Sequence, residues 1–400
     1  MTDKEKNQQG NSKQSKGKKT EVKRVLGNKF YPVYENVRRM STVPSFLTGI
    51  DNEAFANCYR LTQISIPETV KAIGEAAFAG CKRLEQISLP EGLTEIADWT
   101  FAGCSQLKEI NLPSTITRIG KHAFDHCESL TVLHIPAQVK EIGEGAFSEC
   151  RNLREIHLPD GLQLIMPETF SGCKALERIE LPTTLEGIGD YAFEDCGKLL
   201  QIQIPQSVQV IGDSAFLGCT ALTQVDLPEQ LTSLAYGVFD GCSALKGIRL
   251  PAQIQEIDDA VFFGCSQLTE IVIPGTVKQL GHVLGGLGGG AFAHCTQLQK
   301  VTFEEGIEEI CSAAFNGCTA LKKVVLPQGL TALQDHAFAH CTALEEIDLP
   351  NTLQEIGIDA FSGCAKLQVI RHQGNPIRYK DESFQGCDAL DKSQLPVRAE

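Results

Sequence analysis

The sequence predicts an α/β repeat solenoid with one short parallel strand and one short helical or 3₁₀ turn in each 23-residue rung. Three observations lead there. From Cys58 to Cys265, ten cysteines fall 23 residues apart; after one step of 30 to Cys295 the period resumes through Cys318, Cys341, Cys364 and Cys387. A phenylalanine stands three residues before each of these fifteen cysteines, from Phe55 to Phe384. A proline follows most of them by nine residues, from Pro67 to Pro350. Self-similarity at a fixed period outranks any local propensity. A unit this short cannot bury its own apolar side chains, whereas stacked copies cover one another.

The elements follow in order within the first regular unit, Leu61, Ile64, Ile66, Pro67, Val70, Ile73, Gly74, Ala77, Phe78 and Cys81. Ile64-Ser65-Ile66 alternates, so both isoleucines face one side and a short strand with one buried face results. Pro67 ends it, because proline has no N–H for a continued ladder. Val70-x-x-Ile73-Gly74 is expected to turn the corner. Ala77-Phe78-x-x-Cys81 spaces Phe and Cys at i and i+3, which suits one helical or 3₁₀ turn laid inward.

The Leu-x-x-Ile-x-Leu core of each unit resembles a leucine-rich repeat, and the Pro, Ala-Phe and Cys positions are similar to the BspA-like subclass. The resemblance spans residues 41–395 as about fifteen rungs, with degenerate ends where Arg38, Ser41 and Ser393 occupy apolar positions. It implies a right-handed leucine-rich-repeat arc used to bind other macromolecules. Many relatives are cell-surface proteins with signal peptides. The basic amino terminus here has no apolar segment or small-residue cleavage site, so a cytoplasmic location is the expectation. No run of 18 apolar residues marks a transmembrane helix.

Two segments depart from the period. Residues 281–290 hold a glycine-rich insertion of seven residues; it lacks a Gly-Lys-Ser/Thr ending, and the ordinary Ala291-Phe292 follows, so a lateral bulge is expected over a phosphate loop. Residues 1–40 carry 11 Lys/Arg against four Asp/Glu, which divides the net charge of −14 into +7 on this arm and −21 on the remainder. A basic, largely disordered arm is expected. It offers a route to nucleic acid or an anionic surface. Without aromatic interleaving or a nucleic-acid fold signature, a solubilising tail is the preferred reading.

The cysteine column is read as packed thiols. Parallel side chains one rung apart keep their Cβ atoms near 4.8 Å, beyond the usual ~3.8 Å of a disulfide. A linear column cannot surround tetrahedral zinc. Cys311 stands outside the column and is expected to be the most reactive thiol. On the outward strand face, His134, His157 and Glu180 stand on consecutive rungs, the one arrangement suggesting metal binding or hydrolysis. No nucleophile or oxyanion donor accompanies them. The preferred reading is a monomeric, non-enzymatic scaffold with no catalytic residue, metal, cofactor or small-molecule substrate. An unidentified protein partner would be held around Glu155, His157, Arg178, Glu180, Gln203, Asp226 and Arg249.

Overall fold

The structure, a computed structural model, describes residues 25–26, 42–282 and 289–399. Most of the expected arm therefore lies outside the described residues, as does the middle of the glycine-rich insertion. Within the arm, Val25–Leu26 pairs in parallel with Gly49–Ile50. The chain winds into a parallel β-solenoid of about 13 complete turns with little helix, partial at each end.

The rungs stack through three sets of inter-rung hydrogen bonds. The first is the expected one: Gln63–Ser65 pairs with Gln86–Ser88, Val132–His134 with Glu155–His157, and Gln201–Gln203 with Gln224–Asp226, all parallel and in register. The central residue of each is buried and the flanking pair faces outward, as a period of two demands. The prolines close these strands and accept the N–H three residues on, as Pro67 does from Val70 at 3.0 Å.

A second ladder corrects the expectation of one strand per rung. The segment expected only to turn the corner forms its own two-residue strand, as in Glu95–Ile96, Arg118–Ile119 and Glu141–Ile142. Six such strands run in one sheet from Ser233–Leu234 to Glu355–Ile356.

The Ala-Phe-x-x-Cys segment forms single turns closed by i→i−3 hydrogen bonds and does not extend into a helix. Its N–H groups alternate in direction. Ala102 and Cys104 donate within their rung, to Trp99 and Phe101 carbonyls at 3.0 Å, while Trp99, Phe101 and Gly103 donate to the next rung at 2.7–2.8 Å. Left-handed residues two before and two after the phenylalanine, Trp99 (φ 58°) and Gly103 (φ 72°), prevent a helix from running through. A non-glycine residue pays about 1–2 kcal/mol for that conformation. The inter-rung hydrogen bonds offset this cost. Among the described residues the helices are two 3₁₀ segments at the carboxyl end, Asp381–Phe384 and Lys392–Gln394.

The core is built from columns. The phenylalanine rings stack rung on rung, with centroids 5.0–5.7 Å apart and planes within 23°. Beside them, each column thiol from Cys81 to Cys387 donates to the phenylalanine carbonyl of the preceding rung, as Cys196 does to Phe170 at 3.2 Å. That carbonyl also accepts the N–H of its own rung's cysteine, Cys173 to Phe170 at 3.1 Å, so both lone pairs are used. The thiol is thus a hydrogen-bond donor as well as a small packed group. All sixteen cysteines are free.

The insertion does not disturb the stack. Phe262 and Phe292 stack at 5.1 Å across it, and the Cys295 thiol reaches the Phe262 carbonyl at 3.2 Å. Cys311 is buried, contrary to its expected reactivity. Its sulfur accepts from Gln279 Nε2 at 3.2 Å, and burial pushes its pKa up to about 11. The half-exposed thiols are Cys58 and Cys387, at the two ends of the column.

Candidate binding face

The outward residues of the first ladder form one continuous polar surface, because each rung sets two side chains beside an inward-facing aliphatic residue. Glu155, His157, Arg178, Glu180, Gln203, Asp226 and Arg249 are all exposed there. The rungs 109–111, 178–180 and 247–249 drop out of ladder pairing. At the second of these, the Glu177 N–H reaches the Arg154 carbonyl at 3.4 Å, against 2.9 Å for Arg154 to Thr131 one rung earlier.

Two shallow depressions lie at these breaks. Glu155, His157, Asp160, Arg178 and Glu180 line the first. Asp226, Glu229, Gly247 and Arg249 line the second. A Cβ placed on Gly247 would meet nothing within 4 Å, so the missing side chain leaves that floor open. Gln203 lies between the two, paired in register with Asp226. The second depression is bridged by Arg249 and Glu229 at 3.3 Å, with the arginine side chain 82% exposed. An ion pair so exposed is worth little and is readily exchanged for a partner's charge.

The His134, His157 and Glu180 line is arranged differently from a metal or relay site. The two imidazoles stack face to face at 4.5 Å and 7°, so their ring nitrogens do not converge on a common point. His157 Nε2 faces Glu155 Oε1 of its own rung at 2.9 Å. Among the described residues, no group of three or more His, Cys, Asp and Glu side chains is placed to hold a metal ion. None of the described helices is long and apolar enough to cross a membrane.

Sequence reasoning missed a third depression, on the second ladder, lined by Ser233, Glu256, Asp258, Lys278, Gln279 and His282. Asp258 and His282 approach to 3.7 Å across it. The neighbouring Asp259 accepts the His282 N–H at 3.0 Å, and burial raises its pKa. Asp258 stands at the corner position where half of the rungs carry glycine, and that exception was its one sequence signal. No comparable signal marks the ladder breaks.

A sequence model for the BspA type leucine rich repeat region matches residues 48–177, 163–284 and 285–398. Among solved structures, a leucine-rich repeat protein from Bacteroides ovatus is similar over 90% of this chain and 92% of its own, at 29% identity and a TM-score of 0.77. A leucine rich cell surface protein from Faecalibacterium prausnitzii is similar over 84% and 87%, at 28% identity and a TM-score of 0.52. No curated protein matches the chain.

Proposed function

The chain belongs to the BspA-type leucine-rich repeat family, and on that premise we propose that it is a non-enzymatic scaffold whose polar strand face binds a protein partner. The observation that carries this reading is the pair of depressions at the ladder breaks, which gather Glu155, His157, Arg178, Glu180, Asp226 and Arg249 on one uncovered face. Charges of both signs stand side by side there over an aliphatic core. Such a surface selects a partner by complementary charge and rejects one of the wrong pattern. The stack beneath is packed and in register, so the face is presented rigidly and little ordering entropy is lost on binding. The protein acts as a monomer in this reading, and its sixteen free thiols suit a reducing compartment such as the cytoplasm.

The test is a triple charge reversal, Arg178→Glu, Glu180→Lys and Arg249→Glu, in the full chain. A protein partner recovered by affinity purification and identified by mass spectrometry should bind this variant at least about tenfold more weakly, mainly through slower association. An unchanged affinity would reject the strand face as the binding surface. Circular dichroism of the variant should match the parent, because all three side chains are exposed.

A further inference from the structure

Trp99 is the chain's one tryptophan, and it stands 39% exposed in a left-handed backbone conformation (φ 58°) that bulky side chains rarely adopt. Inter-rung hydrogen bonds set it in one column with Glu53, Ala76 and His122: the N–H groups of Glu53, Ala76 and Trp99 reach the carbonyls of Glu75, Asp98 and Lys121 at 2.8–2.9 Å. The indole stacks on the His122 ring of the following rung, with centroids 4.1 Å apart and planes at 19°. That imidazole in turn lies against Gly145, where an added Cβ would collide with it. One indole face is therefore covered and held. The other points back toward the preceding rung, where the column holds only the methyl group of Ala76.

Charge around this open face is one-sided. Glu53, one rung beyond Ala76, and Glu75, beside Ala76, are exposed, and among the described residues neither makes an ion pair. The second-ladder cations on these rungs are committed elsewhere. Arg118 bridges Asp98 at 2.9 Å, and Glu95 and Glu141 at 3.4 Å. Lys121 pairs with Glu144 at 3.0 Å. Lys71 lies along Gly92, which precedes the second-ladder strand Glu95–Ile96, whereas the Trp99 corner follows it.

We propose that the open face of Trp99 is a docking site for an arginine side chain of a partner protein. The site lies at the second-ladder corner and does not depend on the strand-face reading. Rungs stand about 4.8 Å apart, so the short side chain at Ala76 leaves room for one planar group, as the His122 ring fills the same space on the covered face. A guanidinium is planar, weakly hydrated and permanently charged. It stacks on an aromatic face while its N–H fork meets carboxylates at its edge, and Glu53 and Glu75 supply those carboxylates. A lysine ammonium carries the charge without the stacking plane, and a citrulline carries the plane without the charge.

Because Trp99 is the sole tryptophan, its emission reads the site directly in the full-length protein. The probe is the peptide acetyl-Gly-Arg-Gly-amide at low ionic strength, titrated into the millimolar range because one side chain binds weakly. The arginine peptide should give a saturable change in emission. Its lysine counterpart should bind at least about threefold more weakly, and its citrulline counterpart should not saturate. Glu53→Gln with Glu75→Gln should weaken the arginine peptide at least about fivefold and leave the unliganded emission unchanged. Ala76→His sets an imidazole on the open face, in a column that already holds His122 and His336 in the same left-handed conformation. It should shield Trp99 from acrylamide quenching and abolish the response. The proposal is overturned if the arginine peptide gives no saturable change, or if the lysine or citrulline peptide binds as well. It is equally overturned if the double glutamine variant binds like the parent, or if a folded Ala76→His variant still binds.

Discussion

Phe193 and Cys196 show what a single position contributes. Phe193 is fully buried and stacks on Phe170 and Phe216, both at 5.3 Å. Its carbonyl receives the Cys219 thiol at 3.1 Å. Phe193→Ala removes the ring from both stacks and leaves a cavity, so urea denaturation should show a loss of about 3–5 kcal/mol. Cys196 is also fully buried, and the carbonyl of Phe170 at 3.2 Å changes what its replacement should do. From sequence, a serine there appears poorly partnered and costly. With an acceptor in place, the hydroxyl inherits the hydrogen bond, and Cys196→Ser should lose about 1 kcal/mol or less. Cys196→Ala loses the donor and the sulfur's packing together and should cost more than the serine. A serine variant weaker than the alanine one would show that the thiol does not act as a donor.

At the scale of the element, the thiol column couples stability to pH. Burial raises the pKa of these thiols, to about 12 at Cys104 and well above the ordinary value at Cys127, Cys196 and Cys242. An unfolded thiol ionises near 8.5. A folded value raised above the unfolded one gives stability that is complete below the unfolded pKa and is lost as pH rises toward the folded value. The window here therefore opens at about pH 8.5 and extends to about 12. Within it, each buried thiol costs about 1.4 kcal/mol per pH unit, because unfolding releases one proton. The urea midpoint should be level from pH 7 to 8 and fall steeply above about 9. Cys173→Ser with Cys242→Ser should make that fall shallower. A midpoint unchanged through pH 10 would mean that the column ionises without unfolding.

For the whole molecule, contacts run between neighbouring rungs, so length follows from rung count. Fifteen stacked phenylalanine rungs at about 4.8 Å per rung give an elongated body about 70 Å long. Small-angle scattering should give a distance distribution with an extended tail. A symmetric distribution of a compact sphere would contradict the stacking. Because each rung covers the next, the ends hold the least-covered positions, and the half-exposed thiols Cys58 and Cys387 sit there. The arc also turns single-residue variation into a surface: Arg178, Asp226 and Arg249 are far apart in the chain but lie along one face.

The sequence by itself determined the rung, its 23-residue length, the inward columns and the parallel first strand. In a one-dimensional array every core contact recurs at the repeat period, so periodicity in side-chain type reports it directly. Phe55 to Phe384 and Cys81 to Cys387 were legible for that reason, as was the outward face around Glu155, His157 and Arg178. The tertiary structure alone decided where backbone groups turn between rungs. The second ladder at Glu95–Ile96, the left-handed residue at Trp99 and the breaks at 178–180 and 247–249 depend on whether an N–H points along its own chain or across to the next rung. Both directions satisfy the same apolar pattern, so the pattern cannot choose between them. Burial of Cys311 was hidden for a related reason: Gln279 and Gly281, one rung away, enclose it, and both sit at the corner of the repeat, outside the phenylalanine and cysteine columns.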